Sequence, residues 1–170
     1  MKEVLIVVDM QKDFIDGSLG TKEAVSIVDN VKAKIQSYLD AGKKVIFTKD
    51  THPENYLDTY EGKHLPVEHC IKNTPGWEID ANLPTEGEKC FVVEKGTFGY
   101  LGWKDLLEEA ADYEICGLCT DICVISNALI IRAMYPERDI LVDASCCAGV
   151  TPQLHEAALK VMASNQITVE

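Results

Sequence analysis

The chain has no apolar run long enough to span a bilayer, so a membrane-crossing helix is not expected. Its opening, MKEVLIVVDMQKDF, carries an apolar stretch too short for a secretory signal and broken at once by charge. A cytoplasmic location is therefore expected. Positive charge is also scarce: 16 Lys and Arg against 28 Asp and Glu leave a net charge of −12. Such a surface repels phosphate backbones and anionic lipids, which argues against nucleic-acid or membrane partners. Repeats and low-complexity tracts are absent, which makes disorder a poor reading. The seven cysteines are an odd number, and in a reducing compartment they do not suggest a disulfide framework.

What is present is the makeup of one domain over residues 1–170. Strand-length apolar runs recur at 4–8, 44–48, 90–94, 113–117, 139–143 and 167–169, and all but the last can be buried on both faces. Between the first two, Val25, Val28, Val31, Ile35 and Leu39 recur at helical spacing, with Gly42 as a stop. Helices are also expected over 101–110, 121–134 and 152–163, the second of these ended by Pro136. Strands alternating with helices predict an α/β fold: a three-layer, Rossmann-like sandwich around a mostly parallel six-stranded sheet.

Residues 50–88 break the alternation. They hold four of the six prolines and three of the four histidines, and a loop that long is usually functional.

Ligands bind beyond the carboxyl ends of parallel strands. The chain places Asp9 after the first strand, Asp50 and His52 after the second, Lys95 after the third, and Cys119 and Cys123 after the fourth. A cysteine attacks as its thiolate, formed with the help of a base, a cation and a helix N-terminus. Cys123 falls in the first turn of a helix, where free N–H groups can hold an oxyanion. Asp9 is then the proton acceptor and Lys95 the cation. Each has an ordinary reading alone: turn cap, surface lysine, packed thiol. Their convergence favours catalysis. In the loop, Asp50 and His52 stand two apart in an extended segment and share a face; His69, Asp58, Glu61 and His64 are further donors for a metal.

Three blocks, Asp9-Met10-Gln11-Lys12-Asp13-Phe14, Lys95-Gly96-Thr97-Phe98 and Gly117-Leu118-Cys119-Thr120-Asp121-Ile122-Cys123-Val124, resemble the signatures of the isochorismatase-like cysteine hydrolases. The resemblance implies an Asp9, Lys95, Cys123 triad and a cis peptide between Leu118 and Cys119, which turns the Cys119 N–H toward an oxyanion hole shared with that of Cys123. Members named for isochorismate hydrolysis lack the cysteine, so its presence implies C–N hydrolysis. Asp50-Thr51-His52-Pro53 and Leu65-Pro66-Val67-Glu68-His69-Cys70 are similar to the nicotinamidase branch. That implies a divalent metal on Asp50, His52 and His69, with Glu61 as fourth ligand and Asp58 as the alternative. Zn²⁺ is the expected ion, with Fe²⁺ or Mn²⁺ open to the same mixed donors. Leu65 stands where such enzymes commonly have a ring-stacking tryptophan; Phe14 and Leu65 are the expected substrate contacts.

The resemblance thus implies hydrolysis of nicotinamide to nicotinate and ammonia through a thioester on Cys123, in a homo-oligomer. The alternatives are a metal-free amidase for a carbamoyl or ureido compound, a non-catalytic metal or redox protein using Cys116-x-x-Cys119, and an inactive partner-binding relative.

Overall fold

A computed structural model describes residues 1–109 and 111–170. Six strands, β1 (Val4–Val8), β2 (Lys44–Asp50), β3 (Cys90–Lys95), β4 (Tyr113–Leu118), β5 (Ile140–Ala148) and β6 (Thr168–Val169), form one sheet in the order β3-β2-β1-β4-β5-β6. Every pairing is parallel. β1, fully buried, lies at the centre, as its uninterrupted apolar run requires. The helices are α1 (Lys12–Ile15), α2 (Lys22–Asp40), α3 (Tyr60–His64), α4 (Ile125–Met134) and α5 (Pro152–Ser164).

α2 starts where the Thr21 hydroxyl accepts the Ala24 N–H at 3.0 Å, and Gly42 follows it at φ +68°. Its buried face is Ala24, Ile27, Val31, Ile35 and Tyr38. The expected stripe was therefore turned slightly, and Val25 points to solvent. α5 is capped in the same way by Thr151, with Pro152 in its first turn.

Three expectations need correction. Residues 101–109 do not form a helix; Ala110, the last residue of that expectation, lies outside the described residues. A single 3₁₀ turn, Trp103–Asp105, stands there instead. Trp103 is fully buried and donates its indole N–H to Asn127 Oδ1 at 3.0 Å, while Glu108 and Glu109 would put negative charge at a helix C-terminus. Tertiary anchoring of Trp103 outweighs the periodicity. Second, β3 is not buried on both faces: it is an edge strand, pairs only with β2, and leaves Phe91 and Val92 exposed. Third, the helix expected from 121 begins as a π turn, Thr120–Val124, before α4.

The strand order reverses between β1 and β4, where the two halves of the sheet run apart. Gly117 lets them close there: its φ is +116°, and a Cβ would lie 2.1 Å from the Val8 carbonyl oxygen. This brings the chain after Val8 against the chain after Leu118.

Candidate active site

Asp9, the first residue past β1, is fully buried and takes the left-handed backbone conformation, φ 47°. Asx residues tolerate that region, and such outliers cluster at functional sites. Its N–H is held by the Thr48 carbonyl and hydroxyl, both at 3.2 Å, and the Thr48 hydroxyl donates to Oδ1 at 2.6 Å. Its other oxygen, Oδ2, lies 2.6 Å from Lys95 Nζ. Lys95 Nζ is also 3.6 Å from Cys123 Sγ. The base, cation and thiol foreseen after three different strands thus meet beyond one sheet edge.

Their electrostatics are tightly linked. Burial pushes the Asp9 carboxyl above its usual range in spite of the Lys95 ammonium beside it. Burial and the Asp9 charge likewise push the Cys123 thiol well above its ordinary value, with Lys95 pulling the other way. Burial alone would lower Lys95, but Asp9, Cys123 and Asp50 more than offset it and keep the amine protonated. Asp9 and Cys123 therefore compete for one proton beside a fixed cation.

Cys123 sits in the π turn. The Cys119 carbonyl accepts from Ile122 at 3.0 Å and from Val124 at 3.1 Å, the latter with the five-residue spacing of a π turn. The Leu118–Cys119 peptide is cis, and Cys119 lines the same cleft as Cys123.

Two isolated one-residue bridges hold the long loop: His52 pairs with Ile71 within it, and Gln11, just past β1, pairs with Ile79. One ligand atom each from Asp50, His52, Glu61 and His69 lies within 4.8 Å of the others. His52 Nε2 is 3.0 Å from Asp50 Oδ2, and His69 Nε2 is 3.6 Å from Glu61 Oε1. The His69 Nδ1–H donates to the Val67 carbonyl at 2.8 Å, which leaves Nε2 to face the cluster. Burial alone would raise Asp50, but the bond with His52 and the charge of Lys95 hold it below the usual carboxylate range. Burial would lower His52, and Asp50 and Glu61 overcome this and raise it. Burial also raises Glu61. Two imidazoles and two carboxylates, three of the four residues buried, fit a divalent metal.

Asp58, the alternative fourth ligand, is not part of this cluster: it is exposed on the 3₁₀ turn Tyr56–Asp58, and the start of α3 brings Glu61 inward instead. His64 also stays outside it, bonded to the Tyr60 carbonyl on the cleft rim. Among the described residues the metal-capable cluster contains no cysteine. Cys116 is buried within β4, and all seven cysteines are free. Phe14 and Leu65 line the cleft, Phe14 with its ring 5.4 Å from that of His69.

Four supporting residues went unnoticed in the sequence. Gln11 donates to the carbonyls of Asp50 and Trp77, both at 2.8 Å, and accepts the Asp50 N–H at 2.7 Å. Asp13 accepts the Cys70 N–H at 2.8 Å, fixing the turn after His69. Thr48 holds Asp9. Asn127 joins the turn carrying Cys123 to the segment after Lys95, donating to the Cys123 carbonyl at 2.8 Å and accepting the Tyr100 N–H at 2.8 Å. Asn127 was detectable as a polar residue four positions after Cys123 in an apolar helix. Gln11 and Asp13 stand within the first motif, but nothing in their spacing gives their partners.

The isochorismatase domain model matches residues 3–170. The chain is 26% identical over 209 residues to a nicotinamidase of Schizosaccharomyces pombe, covering 97% of this chain and 91% of that one. Among solved structures it is similar to the pyrazinamidase of Pyrococcus horikoshii in complex with zinc, with a TM-score of 0.82, 28% identity and coverage of 100% and 99% of the two chains. The nicotinamidase/pyrazinamidase of Bacillus subtilis gives a TM-score of 0.87 at 26% identity, with 99% of both chains covered. By fold, sequence match and relatives alike, the chain belongs to the isochorismatase family, in its nicotinamidase/pyrazinamidase branch.

Proposed function

We propose that this amidohydrolase of the isochorismatase family is a nicotinamidase that works through a thioester on Cys123. The observation carrying the reading is the meeting of thiol, ammonium and carboxylate beside a metal-capable cluster in one cleft, with Asp50 touching both groups.

In this reading Asp9 takes the Cys123 proton as Sγ attacks the amide carbon. Oδ2 suits this role, since it lies 2.6 Å from Lys95 Nζ, which in turn lies 3.6 Å from Sγ, and burial raises the proton affinity of the carboxylate. The N–H groups of Cys119 and Cys123 hold the oxyanion of the tetrahedral intermediate. When the C–N bond breaks, Asp9 returns the proton to the leaving nitrogen and ammonia departs. Water then attacks the thioester carbonyl, giving its proton to Asp9, and collapse releases the acid. The proton passes back to Sγ. Lys95 stays protonated throughout and stabilises the thiolate.

Asp50, His52, Glu61 and His69 would hold a divalent ion, Zn²⁺ on this proposal, that supplies a Lewis-acidic anchor for the substrate's ring nitrogen. Phe14 and Leu65 would pack on the ring. The whole chain would act as one catalytic domain, at work in the cytoplasm as a homo-oligomer.

The test is ammonia release from nicotinamide, pyrazinamide and N-carbamoyl compounds, with metal analysis of the same sample. Turnover of the two ring amides by metal-loaded protein is expected. Turnover of N-carbamoyl compounds alone, by metal-free protein, would sink the reading.

A further inference from the structure

The cleft over Cys123 has a volume of about 910 Å³. That is near the top of the range for sites that enclose drug-sized ligands, and a monocyclic carboxamide leaves most of it empty. Beyond the metal-capable cluster, His64, Asp121 and a few threonines also line it, but most of the exposed lining surface is apolar. That apolar surface comes from distant parts of the chain: Leu19 between α1 and α2, Leu65 after α3, Phe98 after β3, Ile122 in the π turn, Val150 just before α5 and Leu154 in its first turn. Although they line a concavity, Leu65, Phe98, Val150 and Leu154 remain 38–47% exposed.

We infer that this wall is an acyl subsite, and that the preferred substrates are uncharged primary amides whose acyl part is larger than one ring: fused bicyclic or aryl-substituted aromatic carboxamides. The inference rests on the amidase reading above and names its substrate class. A substrate is favoured as occupant over a second protein chain because the apolar wall is continuous with the nucleophile, which itself lines the cleft. A polar amide head would meet Cys123 and the ligand cluster, and the apolar remainder would cover Phe98, Val150 and Leu154. Covering them removes apolar surface from water, and a larger acyl group covers more of it. The charges agree with this: Lys95 beside Cys123 is already engaged by Asp9 and Asp50, and the lining holds the Asp121 carboxylate and neither lysine nor arginine, so an anionic tail is disfavoured. The chemistry is unchanged, with water cleaving the C–N bond to give the acid and ammonia.

The test compares nicotinamide with quinoline-3-carboxamide and 5-phenylnicotinamide, which keep the ring nitrogen and amide and add one ring. Ammonia release by the metal-loaded full chain should give at least tenfold higher kcat/KM for the larger amides, mostly through KM. Leu154→Ser should narrow that ratio severalfold. Equilibrium binding of the same three amides to the Cys123→Ala protein should keep the order. Equal or better kcat/KM for nicotinamide overturns the subsite and leaves the nicotinamidase reading standing. If no amide is hydrolysed, that reading fails, and the binding order alone decides the subsite: tighter binding of the larger amides supports it, equal or weaker binding overturns it. A dimer that closes the cleft would exclude the larger amides and also overturn it.

Discussion

Asp50 Oδ1 lies 3.4 Å from Lys95 Nζ, while Asp50 Oδ2 lies 3.0 Å from His52 Nε2. One carboxylate therefore borders the ammonium beside Cys123 with one oxygen and the metal-capable cluster with the other. Asp50→Asn keeps the shape and removes the charge, so both sides should suffer. Metal content should fall by more than the ~10–100-fold change in affinity that loss of an outer partner brings. Ammonia release should fall with it and should not recover fully at saturating metal, because the charge beside Lys95 is also gone. Metal analysis and kcat at saturating metal check the two halves separately.

Cys123→Ala should lower turnover by a factor on the order of 10⁶, the scale of losing a nucleophile, with circular dichroism and metal content unchanged. Cys116→Ala should keep most activity. Its thiol is fully buried in β4, so the variant should instead lose about 1 kcal/mol or more of stability to the cavity it leaves. A dead Cys116 variant beside an active Cys123 variant would end the thioester proposal.

The sheet was legible in the sequence because a doubly covered parallel strand reads as a near-continuous apolar run: β1 is one throughout, and β2, β4 and β5 each carry one, interrupted by residues such as Lys49, Glu114 and Asp143. β3 misled, since Phe91 and Val92 look like core but lie on an edge, Phe91 shielded by Lys44 Nζ 4.8 Å from its ring centroid. The convergence of Asp9, Asp50, Lys95 and Cys123 could be read from the sequence because each ends or follows a strand, and strand ends in a parallel sheet gather at one edge. The supporting Gln11 and Asp13 could not. Gln11 meets Asp50 and Trp77, and Asp13 meets Cys70, across loops whose course has no periodicity. The expected 101–110 helix failed because the burial of Trp103 is a long-range choice that local spacing does not contain.

Asn127 joins Cys123 to the loop carrying Phe98, with Nδ2 donating to both carbonyls and Oδ1 accepting from Tyr100 and Trp103. Asn127→Ala leaves those buried groups unpaired, at a cost of roughly 1–3 kcal/mol. Asn127→Asp should be worse, because a buried carboxylate would face two carbonyl oxygens. Melting temperature and kcat should both rank Asn above Ala above Asp.

Removal of metal by a chelator should abolish ammonia release, and Zn²⁺, Mn²⁺ or Fe²⁺ should restore it. Activity that survives chelation would point to the metal-free amidase. Because Asp50 and Glu61 raise the proton affinity of His52, protons compete with the ion. Metal affinity should therefore fall as pH drops through the raised His52 range, sooner than for an unperturbed histidine. Isothermal titration at several pH values measures this directly.

Far from the cleft, Lys34 on α2 pairs with Glu114 of β4 and with Asp143 of β5, its Nζ 2.7 Å from Asp143 Oδ2. Burial alone would raise the Asp143 carboxyl, but hydrogen bonds from Lys34 and Ser145 more than offset this and hold it below the usual range. A depressed folded-state pKa means that the unfolded chain takes up the proton first as pH falls. The stabilisation from Asp143 is thus fully present above the unfolded value of about 3.9 and is lost as pH drops through the lower folded value. Asp143→Asn should melt below the wild type at neutral pH and approach it in strong acid, where both side chains are neutral. A gap that stays constant across that range would mean the residue acts through packing and not through its charge.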